Sequence, residues 1–97
     1  MSAAHHVVFR GRVQGVGFRA FVEDVATHHG LTGWVRNRRD GTVEALFAGP
    51  AEAVDAVIET CRKGPPGSRV DAADRRDGRA DELALSGRET FTVLPTV

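Results

Sequence analysis

Between residues 11 and 21 the chain reads Gly-Arg-Val-Gln-Gly-Val-Gly-Phe-Arg-Ala-Phe. Gly15 and Gly17 bracket a short turn, with Gln14 before it and Phe18 and Arg19 after it. Glycine bends without a Cβ penalty and lets backbone N–H groups approach a ligand closely. Several such groups at the mouth of a helix can converge on one phosphate-sized anion, and the positive end of the helix dipole adds to their field. Arg19 then offers a planar fork for two parallel, charge-assisted hydrogen bonds to phosphate oxygens. A plain glycine turn accounts for the same residues equally well. The spacing is neither the nucleotide-binding loop, which needs Gly-Lys-Ser/Thr after four intervening residues, nor the dinucleotide glycine fingerprint.

A second stretch changes that balance. Gly33-Trp-Val-Arg-Asn-Arg-Arg-Asp-Gly-Thr-Val-Glu44 places Asn37 near the end of a strand, just before a hairpin. The ordinary explanation is an asparagine that bonds its own backbone at the start of a turn. Neither stretch supplies a histidine, cysteine or carboxylate as an obvious base or nucleophile. Glu23 and Asp24 fall in the first turns of a helix, where carboxylates complement the dipole. Asp40 and Glu44 fit a hairpin and an exposed strand face. His5-His6 and His28-His29 invite a metal reading. Adjacent histidines on a strand or helix point apart, however, and no Cys/Asp partner completes a ligand set, so these are expected at the surface and no metal is required.

These residues need elements to position them. Val7 to Val13 reads as a strand, with Val7, Phe9 and Val13 on one face and Arg10 and Arg12 on the other. Phe18, Phe21, Val22, Val25 and Ala26 recur at helical spacing, and Gly30 supplies a stop. Leu31 to Arg38 alternates as a second strand. Asp40-Gly41 is a hairpin signal that returns Thr42 to Ala48 antiparallel. Gly49-Pro50 opens a second helix, since proline is tolerated in the first turn, and Val54, Val57, Ile58 and Cys61 form its apolar stripe. Arg69 to Ala73 gives a short fourth strand, and Asp74 to Glu82 is polar enough for an exposed loop. Phe91 to Leu94 closes the chain as a strand, with Pro95 marking an edge or an end. This order predicts an α+β, ferredoxin-like sandwich, βαββαβ plus a short C-terminal strand, its antiparallel sheet covered on one face by two helices.

Composition bounds the function classes. At 97 residues the chain is expected to form a single domain, 1–97, with one modest core. Thirteen Lys+Arg balance thirteen Asp+Glu, so no global field draws nucleic acid or an anionic membrane, and any anion affinity must be local. Arg36, Arg38 and Arg39 with Arg10 and Arg12 could suggest RNA binding, but no aromatic residues interleave to stack bases, and a solvated strand face is expected. No apolar run approaches ~20 residues, which excludes a helical membrane span. The N-terminus shows no secretory pattern, and the lone Cys61 fits a buried, inert thiol. A cytoplasmic monomer is the expectation.

Taken together, Gly-Arg-Val-Gln-Gly-Val-Gly-Phe-Arg over residues 11–19 and Gly-Leu-Thr-Gly-Trp-Val-Arg-Asn-Arg-Arg-Asp-Gly-Thr-Val-Glu over 30–44 closely resemble the acylphosphatases. The resemblance extends through Gly64-Pro65 and Phe91-Thr-Val93, and two long motifs at the right separation make it specific. It implies the ferredoxin-like fold and hydrolysis of the carboxyl–phosphate bond of small-molecule acyl phosphates, without a cofactor. Arg19 matches the family's phosphate-binding arginine, and Asn37 matches the asparagine that orients the attacking water. Gln14, Gly15, Val16, Gly17 and Phe18 match the loop whose amides surround the phosphate. Thr42 matches a hydroxyl-bearing position that supports Asn37. The charged segment 74–88 is the least typical of the family. A related reading is a stand-alone binding module, because similar domains occur inside a large maturation protein that handles carbamoyl phosphate.

Overall fold

Along β1 (Ser2–Arg12) the side chains of Val7 and Phe9 alternate with those of His6 and Val8, so the strand presents one apolar and one mixed face. The computed structural model describes residues 1–86 and 90–97. β1 pairs antiparallel with β3 (Val43–Pro50) on one side and with β4 (Arg69–Asp77) on the other. β2 (Thr32–Asn37) pairs antiparallel with β3, and β5 (Phe91–Val93) lies parallel to β2, giving the order β4-β1-β3-β2-β5. The ferredoxin-like α+β sandwich is therefore present, and its last strand adds a parallel pairing to an otherwise antiparallel sheet.

α1 (Phe18–His28) and α2 (Ala51–Lys63) pack on the face that carries Val7, Phe9, Val35, Val43, Ala45 and Phe47. α1 buries Phe18, Val22 and Ala26; α2 buries Val54, Val57, Ile58 and Cys61. Each fully buried Val, Ile or Phe side chain contributes roughly 1.5–3 kcal/mol, so these two stripes hold the helices to the sheet. Cys61 is buried as expected, and burial pushes its thiol up to about 12. Pro50 does not lie inside α2. It ends β3 in extended backbone and precedes the first helical residue, because its missing N–H suits a position outside both ladders.

The segment expected as an exposed loop, Asp74 to Glu82, is structured. Strand β4 continues to Asp77, with Asp74, Arg75, Arg76 and Asp77 opposite Val8, Val7, His6 and His5, and α3 (Ala80–Leu83) follows. Residues 87–88, the end of the charged segment, lie outside the described residues. Edge pairing satisfies the backbone of β4 whatever its side chains, so a polar run can be a strand. Its charges pair across the surface: Arg10 with Asp74 at 2.6 Å, and Arg75 with Asp55.

The face opposite the helices is also covered, and two expectations fail there. His6 is only 5% exposed, not a surface histidine, and its Nε2 lies 2.6 Å from Glu44 Oε2. Glu44 is largely buried rather than on an exposed face; its other oxygen accepts from Arg36 Nε at 2.8 Å. Trp34 sits beneath Arg36 and donates its indole N–H to the Glu82 carbonyl at 2.7 Å. Glu82, 8% exposed, takes two hydrogen bonds from Arg76 and one from the Arg79 backbone, anchoring α3 to the sheet.

Candidate active site

β1 ends at Arg12 and the chain turns through residues 14–17 before α1 begins. Gly15 and Gly17 take left-handed backbone, φ 73° and 76°, with open space where a Cβ would sit, so backbone conformation alone demands glycine. Gly17 caps α1 without a side-chain hydrogen bond, and the first turn holds no acid. Glu23 and Asp24, expected to complement the dipole, come in the second turn. Among the described residues, no hydrogen bond is donated by the backbone N–H groups of residues 15–20. A helix start left bare in this way can satisfy those donors with an anion. Phe18, 1% exposed, packs edge-to-face on Phe9 with ring centroids 5.2 Å apart and pins the loop to the core.

A cleft of about 300 Å³ opens over the loop, lined by Gln14, Gly15, Gly17, Phe18, Arg19 and Asn37, with Val13, Ala20, Glu23 and Val93 completing it. Arg19 is half-buried and, among the described residues, makes no hydrogen bond or ion pair. Asn37, the last residue of β2, shares the helix side of the sheet with Val35. Its Oδ1 is buried without a hydrogen-bond partner among the described residues. Such an orphaned acceptor costs about 1–3 kcal/mol, and a donor arriving in the cleft would offset it. Among the described residues, an unpaired guanidinium, bare helix N–H groups and an unpartnered amide oxygen thus line one opening. The arrangement suits a phosphate-like anion beside an ordered water.

Hydrogen bonds far apart in sequence fix these parts relative to one another. Gln14 Nε2 donates to the carbonyls of Arg38 at 2.7 Å and Thr42 at 2.8 Å, tying the glycine loop to the β2–β3 hairpin. The segment after β5 runs on beside β2: Leu94 N–H donates to the Val35 carbonyl, Val97 N–H to the Asn37 carbonyl, and Arg39 N–H to the Val97 carbonyl. Asn37 is therefore held by its backbone from two sides. Neither tie had a signal in the sequence, because no local pattern links Gln14 to residues 38 and 42.

Two assignments change. Thr42 hydroxyl donates to Asp40 Oδ1 at 2.6 Å, joined by the Thr42 N–H at 3.0 Å, rather than to Asn37. These bonds hold the Asp40 carboxyl below its usual range and close the hairpin, so Thr42 shapes the turn that follows Asn37. The Val16 side chain packs against the core, which leaves the role expected of its backbone N–H in the loop unchanged. Glu23, read in the sequence as a dipole partner, lines the cleft instead. Among the described residues no three His, Cys, Asp or Glu side chains gather as a metal site.

The family model for Acylphosphatase matches residues 5–89, which include the whole cleft except Val93. The chain belongs to the acylphosphatase family. An acylphosphatase from Bradyrhizobium diazoefficiens is 60% identical over 92 residues, covering 94% of this chain and 93% of that protein. The crystal structure of acylphosphatase from Bacillus subtilis matches with a TM-score of 0.85 and 38% identity, over 97% of this chain and 99% of that one. HypF from T. kodakarensis matches with a TM-score of 0.76 and 34% identity over 97% of this acylphosphatase but only 12% of its own chain. No helix is long and apolar enough to cross a membrane among the described residues.

Proposed function

We propose that Arg19 and the N–H groups of the Gln14–Phe18 loop hold the phosphate, and that Asn37 positions the attacking water, in the hydrolysis of acyl phosphates by this acylphosphatase. The observation that carries the assignment is the buried Oδ1 of Asn37 in the same cleft as Arg19, both without a partner among the described residues. An acyl phosphate is a mixed anhydride, and its carboxylate leaves without needing a proton. What remains is to bring water in line with phosphorus and to stabilise charge on the phosphoryl oxygens. Asn37 Oδ1 accepts a hydrogen bond from the water and fixes its approach. As the water oxygen bonds to phosphorus, the P–O bond to the acyl group breaks, with its electron pair leaving on the carboxylate. An amide oxygen is too weak a base to keep the water's proton, so a phosphoryl oxygen of the substrate takes it. Inorganic phosphate and the carboxylate are the products.

The reading further places the protein in the cytoplasm as a monomer acting on small-molecule substrates without a cofactor. The test is hydrolysis of benzoyl phosphate in the presence of a chelator, with Arg19→Ala and Asn37→Ala compared with wild type. Arg19→Ala is expected to weaken phosphate binding as well as turnover. For Asn37→Ala kcat is expected to fall by about 3–4 kcal/mol in activation free energy with little change in KM. A raised KM with undiminished kcat would remove Asn37 from the water-positioning role. Phosphate binding by folded wild type without turnover would leave a binding module, the domain's place in HypF giving that outcome its interest.

A further inference from the structure

Glu23 stands one helical turn beyond Arg19 on α1, ~6 Å further along the axis. Besides the phosphate cleft, it lines two openings that continue along the helix, sharing Thr27 with both and meeting Leu31 and Phe91 in the farther one. The side chain is half-buried and, among the described residues, forms no hydrogen bond or ion pair. Lying past the first turn, it gains little from the helix dipole, whose field fades within that turn. Among the described residues, neither capping nor a salt bridge therefore accounts for a carboxylate here.

Its place relative to the reaction does. In-line displacement puts the acyl group on the side of phosphorus opposite the attacking water. Asn37 holds that water from the sheet, so the acyl group departs away from Asn37. The groove leading from the cleft past Glu23, between α1 and β5, is open to receive it. Its walls offer the apolar side chains of Leu31 and Phe91 and one carboxylate at Glu23; Asp24 lines the adjoining opening and adds to that sign.

We propose that this groove receives the acyl portion of the substrate and that Glu23 selects against acyl groups carrying negative charge. The favoured substrates are acyl phosphates whose acyl group has an apolar body and is uncharged or cationic. The proposal rests on the phosphate assignment made above for Arg19 and Asn37.

Two matched probes test it: benzoyl phosphate bearing a para-carboxylate, and the same compound bearing a neutral para-carboxamide. The readout is the ratio of their kcat/KM values in wild type, Glu23→Gln and Glu23→Lys. Taking the ratio cancels both the amount of folded enzyme and the intrinsic reactivity of each probe. For unit charges ~8 Å apart in a solvent-open groove, Glu23→Gln should shift the ratio toward the carboxylate probe about fourfold, and Glu23→Lys about tenfold or more. Both shifts should shrink at an ionic strength of about 1 M, where screening acts over ~3 Å. Ratios that stay at the wild-type value in both variants while all three enzymes turn over would overturn the role of Glu23 and leave the phosphate site standing. If wild type turns over neither probe, the hydrolytic reading of the cleft fails, and the selectivity proposal falls with it.

Discussion

At the scale of single residues, the site is built by leaving groups unsatisfied. Among the described residues, the N–H groups that follow Gly17 at the start of α1 have no acceptor, Arg19 has no acid partner, and Asn37 keeps a buried acceptor open. The buried Asn37 acceptor costs stability in the free protein, offset when a ligand supplies the missing donor; the exposed N–H groups and Arg19 meet solvent until an anion replaces it. The backbone at Gly17 is part of this arrangement, since its φ of 76° is strained for any residue with a Cβ. Gly17→Ala is expected to destabilise the fold by about 1–2 kcal/mol and to weaken inorganic phosphate binding, because open space around the Cβ leaves only the loop conformation to change. Urea denaturation together with phosphate titration would check both effects. Unchanged affinity for phosphate would mean that the loop does not need this conformation to bind.

At the scale of elements, the glycine loop and the hairpin act as one unit because of Gln14. Its amide reaches two carbonyls of the hairpin that follows Asn37; each also accepts a backbone N–H, so replacing Gln14 removes two hydrogen bonds and the tie between loop and hairpin but leaves neither carbonyl without a donor. Gln14→Leu is expected to cost about 1–3 kcal/mol of stability. It should also lower kcat more than KM, since water and phosphate would no longer be held in register. Unfolding curves and steady-state kinetics on one preparation would separate the two. A stability loss with kcat intact would make Gln14 a structural tie only. Much of this level was legible in advance: β1, α1, β2, the hairpin, β3 and the body of α2 followed from periodicity and from Gly30 and Asp40-Gly41. The far half of β4 and α3 did not, because their residues are polar on both sides. Backbone pairing with β1 makes that strand, and backbone pairing leaves no trace in side-chain pattern.

At the scale of the whole molecule, the sheet carries chemistry on one face and a buried ionic network on the other. His6, Glu44 and Arg36 link β1, β3 and β2, and Arg76 of β4 bonds Glu82 of α3, so α3 is tied to the sheet by charge. Burial works against the Glu44 carboxylate, but hydrogen bonds from His6 and Arg36 outweigh it and hold its pKa below the usual value. Hydrogen bonding to Arg76 brings Glu82 down from 4.5 to about 2. A carboxylate depressed on folding adds stability that is fully present above its unfolded pKa and is lost as pH falls toward the folded one. Stability should therefore decline as pH drops from 4.5 to about 2, and Glu82→Gln should flatten that decline. Trp34, whose indole bonds the Glu82 carbonyl, provides the fluorescence signal for acid titration of both proteins. An identical acid profile in the variant would show that this pair does not govern stability at low pH.

The sequence by itself determined the order of the elements other than α3, the glycine loop at the mouth of α1 and, through the family resemblance, the residues proposed for its anion site, Arg19 and Asn37. The elements and the loop rest on local rules, periodicity and the left-handed backbone that glycine permits; the two site residues rest on a pair of motifs matched together. Tertiary structure decided which distant groups meet. It brought Gln14 to the hairpin, turned Thr42 toward Asp40, set Glu23 beside the cleft, and buried His6 against Glu44. Contacts of that kind depend on how strands register and helices pack, and a one-residue slip would send the same side chains to the other face.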